Sequence, residues 1–324
     1  MSNPKIIVCE CDHADLKQEH EVFTAAGIDY KFIPCTSPDE VIEKCQGGEV
    51  MLKQYIVFDE HIFKNVPTLK CIVQYGVGTN NINFEDAAKY GVQVTNVPDY
   101  GMNDVADHTL ALMMNIVRKV NYLNKRVHEG VWSVKEVAPI HRISEMTIGV
   151  IGLGRIGSAF AHRARALGGK IIGYDKGYGV PGLQFPDYIQ YKGSVEELLA
   201  EADIVSLHCA LDKSTMNLMN KERFAIMKDG AYLLNTARGG LIDEAALYDA
   251  LVCNKLAGVG LDVTAQEPIP NDHPLLTLDN VIVTPHSSWY SVEAYQDLKR
   301  KAAEDAVNFV SGRPVRYPVN TLNK

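Results

Sequence analysis

The chain of 324 residues has no run of about 18 uncharged apolar residues, the length a helix needs to cross a bilayer, so no membrane span is expected. It also lacks a dense Lys/Arg cluster. Its 32 basic residues are outnumbered by 40 acidic ones, and a formal net charge of −8 speaks against a nucleic acid as partner. Zinc-type spacing is missing too: the seven cysteines, at 9, 11, 35, 45, 71, 209 and 253, form no CxxC pair. Cys9-Glu-Cys11-Asp-His13 alternates across a strand-like run, which would send its side chains to opposite faces. The cysteines therefore read as reduced, structural thiols, and no metal is expected. Met1 to Lys5 leads directly into the strand-like Ile6 to Cys9 without a signal-peptide pattern, so a cytoplasmic location is the expectation. Repeats and low-complexity tracts are absent as well.

What the chain does have is alternation of strand and helix signals. In the first hundred residues Ile6 to Cys9, Tyr30 to Ile33, Val50 to Leu52, Lys70 to Tyr75 and Val92 to Val97 read as strands. Leu16 to Ala26, Pro38 to Cys45, Ile62 to Val66 and Phe84 to Tyr90 read as the helices between them. Such alternation predicts a parallel sheet covered on both faces. A single long helix is then expected over Asp104 to Glu129, with Asn103 as N-cap and Gly130 as its end. Its first half, Val105 to Val117, is apolar nearly all round, which predicts burial between domains and across a subunit partner. From Thr147 six further strands are expected: Ile148 to Leu153, Lys170 to Asp175, Asp203 to His208, Ala231 to Asn235, Gly258 to Val263 and Val281 to Thr284. A last helix covers Val292 to Val310. The fold class is α/β, with two doubly wound parallel-sheet domains.

The most informative stretch is Thr147-Ile-Gly-Val-Ile-Gly-Leu-Gly-Arg-Ile-Gly157. A strand meets glycines at 152, 154 and 157, and helical spacing follows. Gly152 suits a sharp turn, Gly154 the close approach of a pyrophosphate, and Gly157 tight packing of helix on strand. A helix N-terminus there faces phosphate with unpaired N–H groups. The next strand ends in Asp175, about 20 residues beyond the glycines, where a ribose 2′-hydroxyl needs an acceptor. A carboxylate repels a 2′-phosphate, so the pattern favours NAD; Lys176, directly after it, is the one feature pointing to NADP.

Three polar residues follow later strand-like runs. Arg238 comes after Leu233 to Ala237, with Gly239 and Gly240 leaving its guanidinium uncrowded. Glu267 follows Gly260 to Val263, and His286 follows Val281 to Pro285. Strand ends of this kind are where a doubly wound sheet places its ligands. An Arg, a Glu and a His converging there suit hydride transfer to a 2-keto acid. The forked guanidinium holds a carboxylate and polarises a ketone. The imidazole exchanges a proton with the alkoxide, and the acid accepts from its other nitrogen, with a raised histidine pKa as the expected effect.

Gly76-Val-Gly78, Val105-Ala-Asp-His-Thr109, the Gly152–Gly157 fingerprint, Asn235-Thr-Ala-Arg238-Gly-Gly, Leu261-Asp-Val263, Glu267-Pro268 and Thr284-Pro-His286 together resemble the D-isomer-specific 2-hydroxyacid dehydrogenase family. Within it, Val97-Pro-Asp-Tyr100, Pro139 to Ile143 and His286 to Ser291 look most like the C-terminal binding proteins and phosphoglycerate dehydrogenases. The resemblance implies a flavodoxin-like substrate domain, 1–100 plus 290–324, around an inserted Rossmann-type NAD-binding domain, 101–289. It implies a homodimer built on the coenzyme domains and a small 2-keto or 2-hydroxy acid as substrate. Arg238, Glu267 and His286 are its implied catalytic trio. Thr109, Gly152, Gly154, Arg155, Ile156, Gly157, Asp175, His208, Thr236 and Asp262 are implied to line NAD. Backbone groups of Val77 and Gly78 are implied to hold the substrate carboxylate together with Arg238, and Tyr75, just before them, is expected to bind substrate too. Trp289 and Tyr290, beside His286, read as walls of the pocket.

The departures from the family pattern carry information too. Gln74 stands where phosphoglycerate dehydrogenases often have Arg, so a phosphorylated substrate loses a charge-assisted contact unless Lys53 or Arg142 replaces it. Asn80 and Asn83 occupy positions usually acidic, and Ala210 replaces a usual proline after Cys209. Two alternatives accompany the dehydrogenase reading: an NAD(H)-sensing interaction protein of the C-terminal binding protein kind, and D-3-phosphoglycerate dehydrogenase.

Overall fold

The computed structural model describes residues 5–180 and 185–322. Met1 to Pro4, on which the reading of the N-terminus partly rests, lie outside the described residues. The chain divides into two compact units, Met1–Gly101 with Ser291–Lys324, and Met102–Tyr290.

The first unit runs β1 (Ile6–Val8), α1 (Lys17–Ala25), β2 (Tyr30–Phe32), α2 (Pro38–Lys44), β3 (Val50–Lys53), α3 (Glu60–Asn65), β4 (Cys71–Gln74), α4 (Phe84–Lys89) and β5 (Gln93–Thr95). All pairings are parallel, in the order β2-β1-β3-β4-β5. This is the flavodoxin-like doubly wound order. The short strands β1, β3 and β4 are buried throughout, as expected of strands with helices on both faces. Local chemistry sets the helix starts: Ser37 caps α2 by accepting from the Glu40 N–H, with Pro38 in the first turn.

The second unit runs α5 (Met102–Arg118), α6 (Val120–His128), β6 (Thr147–Ile151), α7 (Arg155–Arg165), β7 (Lys170–Tyr174), β8 (Gln190–Tyr191), α8 (Val195–Glu201), β9 (Ile204–Leu207), α9 (Lys221–Ile226), β10 (Ala231–Asn235), α10 (Glu244–Val252), β11 (Leu256–Leu261) and β12 (Val281–Val283). Its sheet is parallel in the order β12-β11-β10-β9-β6-β7-β8, a Rossmann-type arrangement with β6 and β9 flanking the point where strand order reverses. The chain then returns to the first unit as α11 (Val292–Val310), capped by Ser291. Ala302, Ala303 and Ala306 of α11 share a core with Val8, Leu52 and Val73, small side chains that let the helix lie close to the sheet.

Two expectations need correction. The helix expected over Asp104 to Glu129 is two helices, because Lys119 adopts a left-handed conformation at φ +53° and the Asn115 side chain accepts from the Asn121 N–H. A short polar side chain here competes with the helical ladder. The first of the two begins at Met102, so Asn103 lies inside it rather than capping it. Within its own unit, Ala106, Leu112, Met113 and Val117 of α5 share a core with Ile148 and Phe160. The sheet also has a seventh strand, β8, two residues long at its edge.

Candidate active site

The last residues of β7, β6, β9, β10, β11 and β12 lie in register: Tyr174 opposite Ile151, Ile151 opposite Leu207, Leu207 opposite Asn235, Asn235 opposite Leu261, and Leu261 opposite Val283. One edge of the sheet therefore gathers everything that follows those strands. At about 4.8 Å per strand step, roughly 19 Å separate the glycine turn after β6 from the loop after β12.

At the first end of this row, Gly152 has φ +90°, and a Cβ on it would stand 2.6 Å from the Cys209 nitrogen. A Cβ on Gly157 would stand 1.9 Å from the Gly152 carbonyl oxygen, so only hydrogen lets α7 start this close to the turn. Gly154, by contrast, faces open space and caps α7 without any side-chain hydrogen bond. The N–H groups of Ile156 and Gly157, in the first turn of α7, are thus left to an anion. Asp175 is pinned across the turn, its Oδ2 accepting from the Leu153 N–H at 2.7 Å and its Oδ1 from the Gly177 N–H at 2.7 Å. Lys176 pairs with Asp212 at 3.3 Å. Burial pushes the His208 imidazole down to about 3, and its Nε2 sits 2.8 Å from the Ser206 hydroxyl, so the ring is neutral at physiological pH. Thr109 and Thr236, both buried, meet between α5 and β10 with their hydroxyls 2.8 Å apart. This cradle, open at Gly154 and acidic at Asp175, fits a dinucleotide.

The other end holds Arg238, Glu267 and His286, on the loops after three adjacent strands. Gly239 is what lets two of these loops meet: a Cβ there would stand 2.0 Å from the Thr264 carbonyl. Close approach, rather than room for the guanidinium, is the role of that glycine. The Asn235 side chain fastens the Arg238 turn, donating to the Arg238 carbonyl at 2.8 Å and accepting from the Ala237 N–H at 3.0 Å. His286 Nδ1 lies 2.7 Å from Glu267 Oε2. Burial pushes the Glu267 carboxyl upward. The hydrogen bond and charge of His286, the Thr264 N–H and the charge of Arg238 outweigh it, holding the carboxyl below its usual range. Glu267 is therefore an acceptor at neutral pH, and Nδ1 of His286 is the donor.

His286 itself adopts φ +52°, a left-handed conformation that costs a residue with a Cβ roughly 1–2 kcal/mol. Asp262 offsets that strain. Its backbone carbonyl accepts from the His286 N–H at 2.9 Å, and its carboxylate, almost wholly buried, accepts from the N–H groups of Ser287 and Ser288, each at 2.9 Å. Expected only to line the cofactor, Asp262 thus also fixes the loop that carries the histidine. His108 and Thr284 extend this network: His108 Nε2 is 3.0 Å from the Thr284 hydroxyl, which donates to Asp262 Oδ1 at 2.6 Å. Both lie within motifs legible in the sequence, but nothing in their spacing predicts that they meet.

Tyr75, Val77 and Gly78 follow β4 in the first unit. The Tyr75 phenol is only 2% exposed and donates to Glu19 Oε1 at 3.0 Å, with its ring edge-on to His13. That places its side chain in the interior of the unit, correcting the expectation that it holds substrate. Val77 is exposed, and its carbonyl accepts from the Asn96 side chain at 2.7 Å. Trp289 is half-buried, edge-on to Tyr290 at 5.6 Å between ring centres. Gln74 is buried and donates to the Gln54 carbonyl at 2.7 Å. Beside it in register, Lys53 is fully buried, and burial lowers its pKa to about 7. Arg142 is exposed in the second unit.

Residues 110–288 match the family described as D-isomer specific 2-hydroxyacid dehydrogenase, NAD binding domain. A hydroxypyruvate reductase from Blautia hydrogenotrophica is 35% identical over 296 residues, covering 89% of this chain and 89% of that one. A D-3-phosphoglycerate dehydrogenase from Archaeoglobus fulgidus is 36% identical over 88% of this chain, which spans 54% of that longer protein. Among solved structures, a D-lactate dehydrogenase from Aquifex aeolicus, complexed with NAD and lactic acid, superposes with a TM-score of 0.84 at 30% identity. The match covers 95% of this chain and 96% of that one. Among the described residues, no helix is long and apolar enough to cross a membrane.

Proposed function

Because the chain belongs to the D-isomer-specific 2-hydroxyacid dehydrogenase family, an NAD-dependent group of enzymes, we propose that Arg238, Glu267 and His286 are its catalytic trio, reducing a small 2-keto acid to the D-2-hydroxy acid. One observation carries the assignment. The His286 imidazole is bonded at 2.7 Å to a carboxylate that also feels the Arg238 charge, on the loops after three neighbouring strands of the sheet that holds the glycine cradle.

NADH, when bound, supplies the hydride. The first turn of α7 would hold its pyrophosphate, Asp175 would accept from the ribose, and Thr109, His208, Thr236 and Asp262 would complete the wall. The Arg238 guanidinium binds the substrate carboxylate and polarises the keto oxygen. Glu267 keeps the Nδ1 proton on His286, leaving Nε2 to give a proton to the forming alkoxide and take it back in reverse. The first unit serves as the substrate-binding domain. Neither the Val77 nor the Gly78 N–H has a hydrogen-bond partner among the described residues, which suits them to a carboxylate oxygen.

Hydroxypyruvate, the substrate in the name of the Blautia hydrogenotrophica relative, and glyoxylate, a smaller 2-keto acid, are the first substrates to test. A phosphorylated substrate is the weaker reading: Gln74 is neutral, and Lys53 is buried with a depressed pKa. Assayed for NADH consumption, hydroxypyruvate and glyoxylate should turn over well ahead of 3-phosphohydroxypyruvate. No turnover with any unphosphorylated 2-keto acid would overturn the proposal.

A dimer through the coenzyme domains belongs to the same reading. On α6 and the segment after it, Val120, Val127, Trp132 and Val134 are exposed, Trp132 by 89% and Val134 by 74%. Apolar exposure of this kind marks a surface that associates. Trp132→Glu is expected to shift the protein from dimer to monomer in sedimentation; a wild-type mass would place the interface elsewhere.

A further inference from the structure

We propose that His108, on α5, is a positioning residue for the acid/base step: acting through the Thr284 hydroxyl and the Asp262 carboxylate, it holds the loop that carries His286. The inference rests on the reading of His286 as the acid/base and concerns a residue that does not touch the reacting atoms.

The direction of each hydrogen bond follows from the donor inventory. A threonine hydroxyl has one proton, and an ionised carboxylate only accepts. Thr284 Oγ1 lies 2.6 Å from Asp262 Oδ1, so its proton goes there. Its lone pair, 3.0 Å from His108 Nε2, then accepts the imidazole N–H. His108 therefore carries its proton on Nε2, and the chain of donation runs from α5 through the end of β12 into the Asp262 carboxylate. His108 Nε2 is itself 3.7 Å from Asp262 Oδ1.

Asp262 in turn binds three consecutive N–H groups, those of His286, Ser287 and Ser288. A single residue thus fixes the backbone that keeps His286 at φ +52° with its ring against Glu267. Asp262 is 1% exposed, so lost protein donors are not replaced by bulk water. Thr284 has a second acceptor within reach, the Leu261 carbonyl at 3.5 Å. With the imidazole N–H removed, the hydroxyl is free to turn toward that carbonyl, and Asp262 Oδ1 loses its shortest hydrogen bond. The histidine loop then loosens where it must be held to within fractions of an ångström.

The test is steady-state kinetics of the full-length protein with NADH and a substrate found in the keto-acid assay, comparing His108→Phe, His108→Gln, Thr284→Val and the double variant His108→Phe/Thr284→Val. His108→Phe is expected to lower kcat about 10-fold and to leave the KM for NADH within about twofold. His108→Gln, whose amide N–H can donate to the same hydroxyl, should recover most of the loss. Thr284→Val should match His108→Phe, and the double variant should lose no more than either alone, because both break one chain. Thr284→Val also keeps the idea testable if His108→Phe fails to fold. Wild-type kcat in His108→Phe, equal impairment of His108→Gln, or additive losses would each overturn the proposal. A fully active His286→Ala would instead overturn the acid/base reading.

Discussion

Alanine at His286 is expected to lower kcat about 1000-fold while leaving NADH affinity unchanged, the loss typical of a removed general acid/base. The separation of the two effects is the informative part. The glycine cradle follows β6, whereas His286 follows β12, four strands away in the same sheet. Among the described residues, its imidazole is hydrogen-bonded to Glu267 and to no residue of the cradle. NADH titration by fluorescence therefore should not distinguish the variant from wild type, while stopped or steady-state turnover should. Glu267→Gln should fall between them, since an amide can still accept from Nδ1 but offers no charge to the imidazolium. Unchanged turnover in His286→Ala would remove the residue from the mechanism.

The second large effect is expected at Gly157. A methyl group there would sit 1.9 Å from the Gly152 carbonyl oxygen, and backbone is what it strikes, so no rotamer change relieves the contact. Gly157→Ala must push α7 away from the turn. Overpacking of this kind costs roughly 2 kcal/mol of stability. The displaced N–H groups of Ile156 and Gly157 would also lose their aim at the proposed pyrophosphate site. With two charge-assisted hydrogen bonds weakened, NADH affinity should drop about 100-fold. Calorimetry measures both quantities, and a variant that binds NADH normally would show that the helix start is not the phosphate site. Gly154→Ala is the contrast: a Cβ there meets nothing within 4 Å, so the fold should tolerate it and only the ligand should feel it.

Much of this organisation is legible in the sequence because it depends on local signals. Gly152, Gly154 and Gly157 stand at a fixed offset from an apolar run, and each has a steric reason that needs no knowledge of the rest of the fold. Arg238, Glu267 and His286 become a trio once they are placed at strand ends, since neighbouring parallel strands bring such ends together. Other features depend on what side chains meet across the chain. The break at Lys119 comes from an Asn115 side chain competing for the Asn121 N–H, which helical periodicity cannot register. Strand β8 has two residues and no pattern of its own. Tyr75 reads as part of a binding loop because it precedes Gly76-Val-Gly78, yet Glu19, 56 residues earlier, holds its phenol inside. The left-handed backbone of His286 is likewise invisible until Asp262 is seen to bind the three N–H groups that follow one another there.

The central claim is that the trio and the cradle act on one keto carbon, and isotope transfer tests it most directly. With NADH carrying deuterium at both C4 positions and hydroxypyruvate as acceptor, the account predicts glycerate of the D configuration, one deuterium at C2 for each NADH consumed. NADH consumption without deuterium at C2, or deuterium in the L isomer, would contradict it.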